Sequence, residues 1–407
     1  MNRALVLLLL LPMRALATER PLDHFLAEVL AQNPGLQALD LRHTALHTRA
    51  DAEGRMPDPT INVMVDRFPD RMVEMPMVRW QAQQMLPWPG KLGLMQGAVQ
   101  AQADQAQAGT NARRLALLQD ARRTWWMLAM NAERRGLNKA AEELVDALLR
   151  AMRARYAAGT GGHHDLVRAE VERDALRVEK LALDGERVAV VAMLNALRNQ
   201  ADDTDIADPP LDQTPLPPLD QKLLVAQALE NRAELQAMAA MHREMTAMAD
   251  LARRERWPDL MVGAWYNQMI GGPDTFGAMV GANVPIFSIA RQGLRAEAFD
   301  HEAEAVDREV AAMQAMIRAG IVDALRQVDT ATRQVAFLRG SALARADEAF
   351  KSALAGYATG SLDVTGLLDA RRALQATRRA LADAIVAREL AIADLDRAVN
   401  GKLLEAK

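Results

Sequence analysis

The sequence predicts a mainly α-helical chain with a small β contribution, built as two tandem repeats of helix–strand–strand–long helix–helix. Three observations carry this prediction. First, the chain of 407 residues repeats its own landmarks at an offset of 201. Tyr156 and Gly159 recur as Tyr357 and Gly360, and Pro57-Asp58 recurs as Pro258-Asp259. Landmarks matched at one offset mark a duplication. Second, half of the residues are hydrophobic but only 4% are aromatic, which is the profile of long packed helices. Third, four stretches alternate apolar and polar residues with period two, the pattern of strands with one apolar face.

The expected organisation follows in order. Residues 1–17 are an export signal, 18–200 the first repeat, 201–220 a linker rich in proline and aspartate, 221–401 the second repeat, and 402–407 a tail. The signal is read from Arg3, the apolar run Ala4 to Leu11 and the Ala15-Leu16-Ala17 cleavage pattern. That run is shorter than the ~20 residues needed to span a bilayer as a helix.

In the first repeat, Leu22 to Ala52 has helical periodicity, interrupted at Asn33-Pro34 and stopped by Pro57-Asp58-Pro59. Thr60 to Phe68 and Met77 to Leu86 read as strands. Lys91 to Ala157 is one helical stretch of 67 residues, on the order of 100 Å long at 1.5 Å per residue. A turn at Tyr156 and Gly159 reverses the chain into the helix His163 to Arg198. The second repeat runs alike. Gln221 to Arg253 is helical, Leu260 to Gln268 and Phe276 to Phe287 are strands, and Gln292 to Ala358 is a long helix. A turn at Tyr357 and Gly360 leads into the last helix, Val364 to Val399. Within it Leu367, Leu374 and Leu381 recur every seven residues, which favours coiled-coil packing.

Each strand candidate is about as long as the 9–11 residues a tilted strand needs to cross a bilayer. Aromatics gather there: Phe68, Trp80, Trp88, Trp265, Tyr266, Phe276 and Phe287. They fit either the interface girdles of a membrane barrel or the core of a small soluble sheet. Four strands cannot close a barrel, so a membrane role requires several chains to pool them.

Composition excludes several functions. A net charge of −4 and a pI near 6.0 give no nucleic-acid footprint. The absence of cysteine removes disulfides, thiolate sites and a lipidated N-terminal cysteine. The sequence holds no Walker loop, nucleophile elbow or H-E-x-x-H helix, so no enzyme activity and no cofactor is expected. Two features point weakly to metals. Met72, Met75 and Met77 cluster, and Met238, Met241, Met245 and Met248 form a helical stripe. Thioethers suit soft cations, but methionine also replaces leucine in packing. His163-His164 precede Asp165 at the first reversal, and no specific metal site is assigned to them.

The duplicated layout, Asn33-Pro34-x-Leu36, the Pro-Asp strand entries, Gln84 to Lys91 and the two Tyr-x-x-Gly reversals together resemble the TolC-type outer-membrane efflux family. The resemblance covers residues 22–400. Leu86 to Leu92 is similar to the CusC/CzcC-like branch associated with heavy-metal efflux. The family implies a homotrimer whose twelve strands close one barrel in outer-membrane lipid, with helices forming a hollow cylinder through the periplasm of a Gram-negative bacterium. It implies docking of a periplasmic adaptor and an inner-membrane pump of the RND type at the hairpin tips. Tyr357 matches a tyrosine that ties the closed tip. Asp369 and Asp165 match acidic positions at the constriction, and three copies of Asp369 would form a cation-attracting ring. The chain departs from the family pattern at Leu362, where an arginine is usual, and at Gly366, where an aspartate is usual; Asp363 stands nearby as a replacement. Alternatives are a soluble periplasmic coiled-coil scaffold or adaptor, and the same channel serving drug efflux or type I protein secretion.

Overall fold

In this computed structural model, residues 21–66, 77–269, 272–401 and 403 are described. The expected export signal, Phe68, Met72, Met75 and nearly all of the expected tail lie outside them. The elements in chain order are α1 (Pro21–Gln32), α2 (Pro34–Glu53), β1 (Thr60–Asp66), β2 (Met77–Leu86), α3 (Lys91–Ala157), α4 (His163–Leu197), α5 (Gln221–Asn231) and α6 (Ala233–Arg254). They continue with β3 (Asp259–Met269), β4 (Thr275–Asn283), α7 (Ile289–Phe337), a π-turn (Leu338–Ala342), α8 (Leu343–Thr359) and α9 (Val364–Ala398). No described helix is long and apolar enough to cross a membrane.

The chain divides into two compact units. One comprises residues 1–33, 117–215 and 329–393; the other comprises 34–116, 216–328 and 394–407. Both repeats contribute to both units.

In the first unit, α3 and α4 form an antiparallel pair with heptad spacing. Leu117, Ala121, Leu128, Val145 and Met152 of α3 are buried, as are Ala169, Leu176, Leu183 and Val190 of α4. Two buried asparagines on α3, seven residues apart, fix the register. Asn131 Nδ2 donates to the Leu183 carbonyl at 2.9 Å, and Asn138 Nδ2 to the Leu176 carbonyl at 3.1 Å. A one-heptad slip would still align them, but any smaller slip would strand a buried amide.

α9 carries a continuous stripe at alternating spacings of three and four: Val364, Leu367, Arg371, Leu374, Arg378, Leu381, Ile385, Arg388, Ile392, Leu395 and Val399. All its aliphatic members are at least half-buried.

The second long helix is not the mirror of the first. A π-turn at Leu338–Ala342 separates α7 from α8 where an unbroken helix was expected. The apolar stripe Ile317, Ile321, Ala324, Val328, Ala331 and Val335 reaches Leu338. Continued at heptad spacing it would pass through residues 349, 352 and 356. The residues that pack inward are instead Phe350, Ala353 and Tyr357. The wider turn inserts one residue of helical phase.

The helix breaks near Asn33 and Arg232 have a common purpose. Asn33 Nδ2 donates to the Leu197 carbonyl at 3.0 Å, covering the end of α4. Arg232 Nη1 donates to the Ala398 carbonyl at 3.2 Å, covering the end of α9. Leu197 and Ala398 stand at the same 201-residue offset. The last carbonyls of a helix lack intrahelical partners, and each repeat supplies one with a different side chain.

The sheet belongs to the second unit. It is an antiparallel meander in the order β1-β2-β3-β4. Val63, Trp80, Tyr266 and Phe276 lie side by side in one row, and Ile61, Ala82, Ala264 and Ala278 in the next. These rows share an exposed apolar face with Val65, Val262 and Val280. β4 ends at Asn283, earlier than expected, because Pro285 cannot donate to a ladder and a turn follows. Of the aromatics open to either role, Trp265 stands on the face opposite the apolar one, over Gly277. A Cβ on that glycine would come within 2.4 Å of the indole, so the close approach requires glycine.

Candidate functional site

The two Tyr-x-x-Gly reversals lie in the first unit and are built alike. At the end of α3 the Thr160 N–H bonds the Arg155 carbonyl at 2.9 Å, and the Gly159 N–H bonds the Tyr156 carbonyl at 3.0 Å. At the end of α8 the Ser361 N–H bonds the Gly356 carbonyl at 2.9 Å, and the Gly360 N–H bonds the Tyr357 carbonyl at 3.2 Å. Both are Schellman stops with glycine in the left-handed conformation, at φ 72° for Gly159 and 79° for Gly360. The tyrosine is thus held three residues before the stop, one on each tip.

The tips share a cleft lined by Arg155, Thr160, Asp165, Tyr357, Leu362 and Asp363. Three of the residues singled out from sequence, Asp165, Tyr357 and Asp363, therefore come together; Asp369 lies outside the cleft. The tyrosines differ. Tyr357 packs on the core of Val145, Leu149, Val364 and Leu367, with the Arg155 guanidinium 5.4 Å from its ring centre, a cation–π distance. Tyr156 is 48% exposed and its ring lies 5.7 Å from that of His163.

Asp363 caps α9: its Oδ1 accepts from the Gly366 N–H at 2.9 Å. That hydrogen bond holds its carboxyl below the usual range, helped by Thr365 and the charge of Arg168. The two departures from the family pattern are coupled here. The Leu362 side chain occupies the room a side chain at 366 would need, since a Cβ there would meet its Cδ1 at 2.7 Å. Leucine at 362 and glycine at 366 form one packing unit.

Asp369 is 63% exposed and lies 3.5 Å from Arg372, one turn along α9. Arg372 also binds Glu172 of α4, and Glu172 binds Arg371. Glu172 and Arg371 are buried and were not singled out from sequence. The available signal was their position: Glu172 falls between Ala169 and Leu176 in the buried stripe of α4, and Arg371 between Leu367 and Leu374 in that of α9.

In the second unit, the stretch after β2 forms a junction between sheet and helix. Trp88 stacks on Trp257 with ring centres 5.1 Å apart. The Lys91 ammonium is buried between the Trp257 carbonyl at 3.0 Å and Asp259 Oδ1 at 2.7 Å, and Asp259 Oδ1 also accepts from the Trp88 N–H at 2.8 Å. The Pro-Asp strand entry and the Trp88 to Lys91 stretch are therefore halves of one lock. Of the methionines, Met238, Met241, Met245 and Met248 are all half-buried along α6, as packing residues are. Among the described residues no three His, Asp or Glu side chains are set to hold a metal.

Residues 224–401 match the sequence profile described as Outer membrane efflux protein. No curated protein sequence matches the chain. Solved structures share the fold over nearly the whole length. VceC of Vibrio cholerae is 17% identical, with 93% of this chain and 96% of that one covered and a TM-score of 0.78. The open state of the MtrE outer-membrane channel of Neisseria gonorrhoeae is 17% identical, with 94% and 89% covered and a TM-score of 0.79. CusC is 16% identical, with 93% and 91% covered and a TM-score of 0.79. The second repeat thus matches the outer-membrane efflux protein profile, and the whole chain shares the fold of solved outer-membrane channels.

Proposed function

We propose that the chain forms a passive exit duct across the outer membrane and periplasm, as a homotrimer working with a periplasmic adaptor and an RND-type inner-membrane pump. The observation that carries this reading is the sheet. Among the described residues it has four antiparallel strands, an exposed apolar face and two unpaired edges at β1 and β4. A sheet cannot keep open edges in lipid. Joining β4 of one chain to β1 of the next preserves antiparallel pairing, and three chains close twelve strands.

A second surface supports association of copies. α4 carries, besides its buried stripe, an exposed one: Val171, Asp174, Val178, Leu181, Gly185 and Val188, again spaced by three and four. Val171, Val178, Leu181 and Val188 are well exposed. Such a seam is the packing face of a coiled coil, and helices of a neighbouring copy would cover it.

The cargo is the finer question. Asp369 on three chains would ring the exit with negative charge and favour cations. Heavy-metal cations are the cargo supported by the likeness of Leu86 to Leu92 to that branch, although Lys91 within it is occupied in packing. Two measurements test the proposal. Purified protein in detergent should have the mass of three chains, and a soluble monomer in the periplasmic fraction would reject the duct. In bilayer conductance, Asp369→Ala should weaken cation preference, and unchanged selectivity would reject its ring role.

A further inference from the structure

We infer a site for a divalent transition-metal cation formed by His43 and His47 of α2 with Asp104 of α3. Residues four apart on a helix lie on one face, and the two imidazole rings stand 5.2 Å apart, edge to face. α3 brings Gln100 against them. Its amide nitrogen is 3.2 Å from His47 Nε2 and 3.2 Å from Asp104 Oδ1. An amide N–H2 group only donates. The Asp104 oxygen accepts from this amide, and His47 Nε2 faces the same amide at the same distance.

An imidazole nitrogen and a carboxylate oxygen turned toward one small donor are the ligand types a borderline cation takes. The Gln100 amide fills the place where that cation would sit. Among the described residues no three such ligands converge as they stand, and the cation would enter by displacing the amide. His43 then adds a second nitrogen from the same helix face. Arg243 lies 2.9 Å from the other Asp104 oxygen and orients the carboxylate while reducing its net charge. The site is at the surface, so water completes the coordination. Two imidazoles with one carboxylate favour Cu(II), then Ni(II) and Zn(II).

The inference concerns binding and not transport, so it stands apart from the cargo proposed above. The test is calorimetric titration of untagged, purified full-length protein in detergent with Cu(II) and Ni(II), and paramagnetic resonance of the Cu(II) form. One Cu(II) per chain, with nitrogen couplings in its spectrum, is expected. The double variant His43→Ala with His47→Ala should lose that equivalent, whereas His163→Ala with His164→Ala should keep it. Asp104→Asn should weaken binding by about tenfold, the lower end of the effect of losing a metal-site partner. Gln100→Ala should tighten binding. The inference is overturned if wild-type protein binds no Cu(II), if the His43 and His47 double variant binds like wild type, or if Gln100→Ala weakens binding.

Discussion

Arg371 of α9 and Glu172 of α4 form an ion pair in which the two side chains are only 5% and 8% exposed. Burial lowers the Arg371 pKa from its ordinary value, and the charge of Glu172 opposes that shift. A buried charge without its partner is costly, whereas an apolar pair of similar volume is often neutral or stabilising. Glu172→Ala should therefore destabilise the first unit by about 3–5 kcal/mol. The double variant Glu172→Leu with Arg371→Met should recover most of that loss. Thermal unfolding of the three proteins measures both effects, and equal losses in the single and double variants would show that the charge pair itself is stabilising.

Glu389 gives an unusual pH dependence. Its carboxyl is 2% exposed and burial raises its pKa, although the Thr214 N–H and Arg388 pull the other way. The folded protein therefore holds this proton to a higher pH than the unfolded chain does. Between the two values the folded state binds more protons, so this group's contribution to stability falls as pH rises. A salt-bridged carboxylate does the reverse. Melting temperature followed from acid to neutral pH should show this decline, and Glu389→Gln, which still accepts from Thr214, should flatten it.

Glycines of the two kinds should respond in opposite directions. Gly159→Ala and Gly360→Ala each force a side chain into the left-handed region, at a cost of about 1–2 kcal/mol. Gly136 lies within α3 with open space around its Cα, so Gly136→Ala should stabilise by about 0.5–1 kcal/mol. The comparison is made on melting temperatures under one detergent condition.

How much of this could be read in advance depended on whether local pattern or tertiary contact decided each feature. The ends of α3, Lys91 and Ala157, were legible because Gly90 and the Gly159 stop punctuate the chain directly. The Tyr-x-x-Gly reversals were legible because they recur. Arg371 and Arg388 were not, since a guanidinium within a leucine stripe reads as a break in it. Only the structure shows Glu172 and Glu389 meeting them. The face on which Trp265 stands was not legible, because aromatic clustering carries no information about which face of a strand is buried. The pairing of Leu362 with Gly366 was visible only as two unrelated departures from the family pattern.

On the proposed barrel, the two faces of β4 test which side meets lipid. Val280 is 80% exposed on the apolar face, and Met279 stands on the other. An arginine on the lipid side of a barrel strand costs about 2–4 kcal/mol near the bilayer midplane. Val280→Arg should therefore reduce the trimer recovered from outer membranes sharply, while Met279→Arg is tolerated. Equal recovery of both variants would argue that the face of Val280 does not meet lipid.

The π-turn at Leu338–Ala342 makes the second hairpin's geometry a matter of counting. One residue of an α-helix corresponds to a rotation of about 100°. The extra residue turns everything from Leu343 to Thr359 by that angle relative to an unbroken helix, which brings Tyr357 inward where Gly356 would otherwise point. The first hairpin has no such insertion, and its Tyr156 faces water. The duplicated Tyr-x-x-Gly tips thus present their tyrosines differently, Tyr357 toward the core and Tyr156 toward water. Deleting Gly340 would act like turning a dial by one step: the cleft beside Arg155 would lose its tyrosine, and both tips would present the same outward-facing ring.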